Sequence, residues 1–303
     1  MYNMALKQIS NTTAKQVIDA SRAYRELIRT RRSLQKLGGS MFWKISGSHA
    51  YLVQRSCFDS RKVQHLGIKS SQTAARLQAY EAERARLQQR EATLQERIWV
   101  FERMNKAVRA GVVANSVIDA TRLFDRIGIS EDCIWIGSPA QHVYWQSSGF
   151  ETPKLLGDGE DLGEHLVFVK RKMDATSLNK LHRCKALTLD VVRGEHSTLL
   201  LIKLNATAHS GVGPGLAGAI AQRQYSKFIK DTVHEYMDLI FDASVQSPFF
   251  EQVLISKTGR MGMLKTVTPN FFAAWNTLFG LDIGEMDLFQ QLLESGRLVG
   301  KSD

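Results

Sequence analysis

A seven-residue repeat of apolar side chains between residues 70 and 110 constrains the fold more than any other feature of the sequence. Its members are Tyr80, Leu87, Leu94, Phe101 and Val108. Seven residues make almost two turns of an α-helix, so the repeat predicts one long helix with a narrow apolar stripe. Gly111 follows and is expected to end it. Such a helix gains most of its stability by packing its stripe on another element.

A coiled coil needs two apolar positions in every seven residues, and the second of them lies four residues after the first. The residues at this second position decide between a coiled coil and a helix that packs on another element. A coiled coil needs apolar residues there, but Arg84, Glu91 and Asn105 occupy most of these positions. We therefore predict a helix packed on another element, with a homodimer through residues 71–110 as one form of that packing. A free-standing coiled coil is the alternative.

Positive charge is concentrated in the first third of the chain. Residues 1–110 hold 21 Lys and Arg against 8 Asp and Glu, whereas the whole chain holds 40 against 30. Because Lys and Arg displace counterions from phosphates, this asymmetry favours a nucleic-acid partner such as RNA or tRNA. A solvated helical surface is the alternative. The predicted nucleic-acid contacts lie on a first helix over residues 14–36, and they are Arg22, Arg25, Arg29, Arg32 and Lys36.

Composition excludes several other classes of protein. A chain that is 44% hydrophobic and 23% charged is globular rather than disordered. The three cysteines form no C-x-x-C pair, which argues against a disulfide scaffold and a cysteine zinc site. No apolar run approaches the roughly 20 residues that span a bilayer, and the first residues lack the apolar segment of a secretory signal. We expect no membrane association and a cytoplasmic location.

The sequence pattern changes near residue 130, where short apolar segments begin to alternate with turn signals. The first is 133–136, and residues 186–204 and 250–267 each predict a hairpin. Another hairpin is predicted near 41–54. The predicted fold is therefore α+β: a basic helical region over residues 1–130, followed by a mixed-sheet domain with flanking and C-terminal helices over 131–303.

The segment after the strand at 133–136 is a candidate phosphate site. Gly137 and Ser138 follow the strand, and Pro139 suits the first turn of a helix. Backbone N–H groups at a helix N-terminus attract anions, and glycine lets a phosphate approach the backbone. The alternative is an ordinary turn and helix cap.

Carboxylates downstream are candidate metal ligands. Asp158, Glu160 and Asp161 are closely spaced, and Asp190 interrupts an apolar strand. Oxygen ligands of this kind suit a divalent cation that also contacts a triphosphate. The alternatives are an exposed acidic turn for the first three, and for Asp190 a place on the solvated face of a half-buried strand.

The order of these segments resembles the nucleotidyltransferase fold of the polymerase-beta superfamily. Further segments look like a little-characterised bacterial branch of it with a helical N-terminal region, which has a YLY strand, an LG-x-R-S-x-x-T-E turn and a P-x-x-F-A helix start. The likeness covers roughly residues 40–280. The segments that carry it are MFWK at 41–44, YLV at 51–53, LGIKSSQTA at 66–74, WIGS at 135–138, FEQVLI at 250–255 and TPNFFA at 268–273.

The resemblance implies a Mg²⁺-dependent transfer of a nucleotidyl group from a nucleoside triphosphate to RNA or to a protein hydroxyl. Gly137 and Ser138 would hold the β- and γ-phosphates. Asp158 and Glu160 would bind two Mg²⁺ ions, with Asp161 as substitute. Asp190 would bind the second ion and help to activate the acceptor hydroxyl. The superfamily includes toxins of toxin–antitoxin systems and defence proteins that modify tRNA, so a partner protein also belongs to this expectation.

Two departures from the family pattern support an alternative function. Counted from Ser138, the family's first Asp falls at Asp161 and Gly163 replaces the second, whereas a three-residue shift gives Asp158 and Glu160. The family's His-Lys pair near the C-terminus is also missing, because AWN stands at 274–276. The alternative is a catalytically degenerate member that binds nucleic acid or a partner protein through its basic helices.

Overall fold

The protein was analysed as a computed structural model, which describes residues 6–56, 63–136, 138–151, 164–169, 173–183, 187–193, 198–204, 249–273 and 283–295. The fold is mixed α+β. The chain forms two compact units. Ile18–Arg103 is called the helical unit here, and Met1–Val17 together with Met104–Asp303 is called the α/β unit.

Two long antiparallel helices run through the first part of the chain, α1 (Asn11–Leu37) and α2 (Ser71–Ala107). Within the helical unit, Glu26 pairs with Arg90, and Arg31 pairs with Glu91 at 2.8 Å. Both helices were predicted from the sequence, and the described residues show α2 packed on α1 of the same chain. A homodimer through α2 stays a prediction.

The first three residues of the apolar stripe of α2 are buried, whereas Phe101 is half-buried and Val108 follows the end of the helix at Ala107. Tyr80, Leu87 and Leu94 are 5–6% exposed, and Ile98 is equally buried beside them. On α1 the buried side includes Ala20, Tyr24, Leu27 and Ile28. The opposite side of each helix is mostly polar, but it also exposes Ile18 on α1 and Trp99, Val100 and Met104 on α2.

A three-stranded antiparallel sheet lies between the two helices in sequence, in the order β1 (Met41–Ser46), β2 (His49–Arg55) and β3 (Val63–Ile68). The first two strands form the predicted hairpin, and Gly47 takes a φ of 61° in its tight turn. The third strand was not predicted. It pairs with β2 through a register shift at Leu52 and Val53.

The α/β unit contains a six-stranded sheet. Its elements in chain order are α3 (Asn115–Ile127), β4 (Cys133–Ile136), α4 (Ser138–Ser148), β5 (Glu164–Val169), α5 (Ala175–His182), β6 (Leu187–Arg193), β7 (Thr198–Leu204), β8 (Phe250–Ile255), β9 (Met261–Thr266) and α6 (Ile283–Glu294). A short helical segment covers 269–273. The strand order is β6-β7-β5-β4-β9-β8, and only the β4–β9 pair is parallel. A helix predicted over 222–241 lies outside the described residues.

Alternating side chains on β4 serve two apolar cores. Cys133 and Trp135 belong to a core that includes residues of α3 and α5. Ile134 and Ile136 belong to a second core with residues of α4 and α6. Because successive residues of a strand point to opposite faces, all four residues of β4 are buried. β4 is therefore a central strand covered on both sides.

The helix α3 packs on the six-stranded sheet. Val117, Ile118 and Phe124 are buried, and Gly128 ends the helix in a left-handed conformation with a φ of 76°. Gly262 on β9 lies against Thr121, where a side chain would overlap. The two units divide the chain after Val17 and after Arg103, whereas the sequence pattern predicts one boundary at 130.

Candidate functional site

The junction between β4 and α4 occupies the position that the sequence assigns to a phosphate site. β4 ends at the buried Ile136, and α4 begins at Ser138 with Pro139 next. The predicted order of strand, turn and helix is present. Gly137 lies outside the described residues, and Ser138 is the first residue of α4.

The buried hydroxyl of Tyr144 on α4 fixes this junction to the end of β9. It donates a hydrogen bond of 2.7 Å to the carbonyl of Val267 and lies 3.3 Å from Oγ1 of Thr266. That Oγ1 donates in turn to the carbonyl of Trp135 at 2.8 Å. Burial raises the pKa of Tyr144 well above its ordinary value, so the phenol is neutral. The network holds β4, α4 and β9 in one arrangement.

The start of β5 lies beside the end of β4. The two strands are antiparallel, and Ile136 pairs with Leu166. Asp158, Glu160 and Asp161 lie outside the described residues. The chain that follows them enters β5 at Glu164, which is at the same edge of the sheet as the β4–α4 junction.

Asp190 lies in the same row of the sheet as the end of β4. It pairs with Leu201 of β7, Leu201 pairs with Leu166 of β5, and Leu166 pairs with Ile136. Three strand spacings separate the Cα atoms of Asp190 and Ile136 by about 14 Å. Leu189 next to it belongs to the core that contains α3 and α5. Position 190 therefore falls on the other face, the one on which α4 packs.

The described residues contain no group of three or more His, Cys, Asp or Glu side chains placed to hold a metal ion. The predicted Mg²⁺ site depends on Asp158, Glu160 and Asp161 together with Asp190. Carboxylates of this kind fit the oxygen chemistry that Mg²⁺ prefers. The strand pairings place position 190 level with Ile136, the last residue before the predicted phosphate turn, and on the same face of the sheet.

The predicted nucleic-acid residues form one stripe along α1. Their spacing of three and four residues puts all five on one side of the helix, over about 21 Å. They are Arg22, Arg29 and Lys36, which are exposed, and Arg25 and Arg32, which are half-buried. Tyr24 and Leu27 face the other way and are buried, and the buried Ile28 borders the stripe beside Arg25 and Arg32.

Two acids of the helical unit are paired with cations that do not belong to this stripe. Glu26 on α1 pairs with Arg90, and Glu91 on α2 pairs with Arg31. Each of these carboxylates therefore faces a cation that lies outside the stripe. A long row of positive charge is the pattern that contacts phosphates without reading sequence.

Aromatic and basic side chains on the three-stranded sheet form a second surface that the sequence analysis missed. The rings of His49, Tyr51 and His65 adjoin one another, with centroid distances of 6.4 and 6.2 Å. Lys44 pairs with Tyr51 across the hairpin. The signal in the sequence was the alternation of His49 and Tyr51 on β2, but without β3 it gave no reason to place His65 beside them.

A cavity of about 360 Å³ lies in the α/β unit beside the end of α2. Its lining includes Ser10, Thr13, Arg109 and Gln146, and none of the predicted site residues. Arg109 takes a φ of 50° where the chain leaves α2. The cavity is therefore separate from the β4–α4 junction.

Comparison of the chain with family models, with curated proteins and with solved structures gives no match. Within the described part of the chain, no helix has both the length and the apolar character to cross a membrane. The function is therefore proposed from the resemblance in the sequence and the arrangement of the described strands and helices.

Proposed function

We propose that the protein is a nucleotidyltransferase that moves a nucleotidyl group from a nucleoside triphosphate to RNA. One observation carries the proposal: the strand of Asp190 reaches the same row of the sheet as Ile136, at the point where the chain turns into α4. Position 190 and Ile136, the last residue before the proposed phosphate turn, thus fall on one face of the sheet. The Gly137–Ser138 turn would hold the β- and γ-phosphates at the start of α4.

The proposed acids complete the site from the adjoining edge. Asp158 and Glu160, or Asp161 in place of one of them, would hold Mg²⁺ together with Asp190. The ions would neutralise phosphate charge and lower the pKa of the acceptor hydroxyl. The acceptor oxygen bonds to the α-phosphorus as the bond from that phosphorus to the pyrophosphate oxygen breaks, and the hydroxyl proton passes to water.

The basic stripe of α1 supports RNA as the acceptor. A row of Arg and Lys side chains, of which Arg22, Arg29 and Lys36 are exposed, can contact phosphates of any sequence, which suits an enzyme that modifies the end of a structured RNA. A protein hydroxyl is the second acceptor in the proposal. We place the reaction in a toxin or defence setting, in which tRNA is modified and a cognate partner protein controls the activity.

The second candidate is a catalytically degenerate protein that binds nucleic acid or a partner. The basic stripe favours it, since Arg22, Arg29 and Lys36 are exposed on one side of α1. The replacement of the family's second Asp and of its His-Lys pair also favours it. In this case the β4–α4 junction would have a structural role only.

The test is transfer of label from nucleoside triphosphates to total tRNA in the presence of Mg²⁺. The four α-³²P triphosphates are supplied separately, and products are separated by size to distinguish labelled RNA from labelled protein. The variants are Ser138→Ala and Asp190→Asn. Glu131→Gln is the matched control, because Glu131 is exposed and precedes β4 at the opposite edge of the sheet.

We expect label in RNA with the wild type and with Glu131→Gln, and a loss of at least about 100-fold with Asp190→Asn. Transfer that survives both site variants would contradict the assigned site. Absence of transfer by the wild type, with RNA binding retained, would favour the degenerate protein. Circular dichroism of each variant separates loss of activity from loss of fold.

A further inference from the structure

One face of the three-stranded sheet carries a row of rings. His49 and Tyr51 are two residues apart on β2, and His65 lies beside them on β3 through its pairing with Val53. Residues paired across strands share a face, so all three belong to one side of the sheet. His49 and His65 are exposed and Tyr51 is half-buried.

The three rings contact one another edge to face. The ring of Tyr51 is inclined by 83° to that of His49 and by 77° to that of His65. Edge-to-face contacts of this kind hold rings in fixed positions. Fixed rings lose little conformational freedom when a flat ligand stacks on them.

Cations border the rings on the same face. Lys44 pairs directly with Tyr51 and is exposed. Arg55 is also exposed, and its guanidinium lies 5.3 Å from the ring of Phe42, which pairs with Val53. Residues 40–56 and 63–70 contain no Asp or Glu. The ligand of this face is therefore expected to be both flat and negatively charged.

We propose that this face, defined by His49, Tyr51, His65, Lys44 and Arg55, binds single-stranded nucleic acid through its bases. Single strands are the polyanions that expose base faces, and they bind where aromatic rings adjoin Lys and Arg. A duplex hides its base faces in the stack and offers the rings nothing to contact. The face would thus hold unpaired bases, whereas the stripe on α1 contacts phosphates.

The proposal goes beyond nucleotidyl transfer and does not depend on it. A protein with no transferase activity would still bind single strands through this face. A protein with full activity could equally lack such binding. The label-transfer assay and a binding assay therefore test the two proposals independently.

The test is fluorescence anisotropy with fluorescein-labelled strands of 12 nucleotides: one RNA, one DNA of the same sequence, and the matching duplex. The ring variant is His49→Ala/Tyr51→Leu/His65→Ala. The matched control is Ile45→Ala/Gln64→Ala, which alters β1 and β3 on the opposite face of the sheet. A charge pair is added: Lys44→Gln on the ring face and Lys69→Gln, whose ammonium lies over Trp43 on the other face.

We expect the ring variant to bind the single strands about 10- to 100-fold more weakly, because each stacked base contributes substantially to affinity. The control pair should change the affinity less than about twofold. Lys44→Gln should weaken binding more than Lys69→Gln does. Similar losses for RNA and DNA indicate recognition of bases alone, whereas a loss confined to RNA indicates that the 2′-hydroxyl is also contacted.

Several results would overturn the proposal. The first is that the wild-type protein binds neither single strand. The second is that the ring variant and the control variant bind the single strands equally well. The third is that the duplex binds as tightly as the single strands. Thermal melting followed by circular dichroism checks the fold of each variant. If the triple variant melts early, the exposed single substitutions His49→Ala and His65→Ala replace it, and each is expected to weaken binding about threefold or more.

Discussion

At the residue scale, the hydroxyl of Tyr144 joins three parts of the α/β unit. It donates to the carbonyl of Val267 after β9 and adjoins Thr266, which itself bonds to β4. Phe250, Phe272 and Phe289 pack around its ring, with centroid distances of 5.3–5.6 Å. This buried hydroxyl, together with the hydrogen bonds of Gln146 to β8, fixes how α4 approaches the sheet.

Tyr144→Phe should lower the free energy of unfolding by about 1–2 kcal/mol at pH 7, because the carbonyl of Val267 stays buried without its donor. Urea denaturation followed by circular dichroism measures the change. Trp99→Phe is a suitable control, since Trp99 is 58% exposed and should alter stability little. A Tyr144→Phe protein as stable as the wild type would show that water or another donor satisfies this carbonyl.

The stability difference between wild type and Tyr144→Phe should also depend on pH. Burial raises the pKa of Tyr144 in the folded state, so above about pH 10 the unfolded chain loses a proton that the folded protein keeps. The stabilisation is complete below that pH and is lost as the pH rises. The difference should therefore shrink by about 1.4 kcal/mol per pH unit above pH 10. A difference that stays constant to pH 11 would contradict this.

At the element scale, the polar residues that interrupt the apolar repeat of α2 bond to residues of other elements and loops. Arg84 donates to the carbonyl of Gly39 at 3.0 Å, and Glu91 pairs with Arg31. Asn105 is fully buried between Gln16 and Gly259. The sequence showed correctly that these residues exclude a regular coiled coil. It could not identify their partners, which lie tens to more than a hundred residues away.

Asn105→Ala should therefore destabilise the protein by about 1–3 kcal/mol, since the side-chain amide of Gln16 and the carbonyl of Gly259 both lose a partner in a buried place. Chemical denaturation measures the effect. Gln95→Ala is the control, because Gln95 is exposed on the same helix. The double variant Gln16→Ala/Asn105→Ala should cost less than the sum of the two single changes. Additive losses would show that the two side chains do not act as a pair.

The elements that the sequence predicted have clear periodicity or clear ends, whereas β3 and α5, which it missed among the described residues, are short and lack clear periodicity. β3 contains Gly67 and pairs through a register shift, so its apolar residues do not alternate regularly. α5 has only eight residues, and the side chain of Asp174 caps it by accepting from the backbone of Ser177. A helix this short is stabilised by packing rather than by its own sequence, and Leu178 and Leu181 supply that packing.

At the scale of the whole molecule, the uneven charge of the sequence corresponds to a defined row on α1. Local spacing was enough to predict this row, because residues three and four apart share a helix face. The proposed catalytic group is different in kind. Asp190 and Ile136 lie in one row of the sheet only because four strands pair in the order β6-β7-β5-β4, and no local pattern encodes that order. The sequence therefore predicted the α1 stripe more completely than it predicted the nucleotide site.

Removing three exposed charges of the row should weaken RNA binding and make it less sensitive to salt. We expect Arg22→Gln/Arg29→Gln/Lys36→Gln to lower the slope of log affinity against log salt by about 2, because each lost phosphate contact removes about 0.7 for a single strand. Titrations from low to moderate salt measure it. Arg126→Gln/Lys180→Gln/Arg183→Gln removes equal charge from exposed positions of the α/β unit and should change the slope little. Equal slopes for both triple variants would contradict a role for the row.

The parallel pairing of β4 with β9 has a consequence for how the protein is made. On a ribosome, β4 emerges more than a hundred residues before its neighbour, and until then one of its edges has no hydrogen-bonding partner. Cys133–Ile136 is wholly apolar, which makes such an edge prone to intermolecular association. Nascent or truncated chains that stop before Met261 should therefore need chaperone protection, and the last strands of the sheet should govern the yield of native protein.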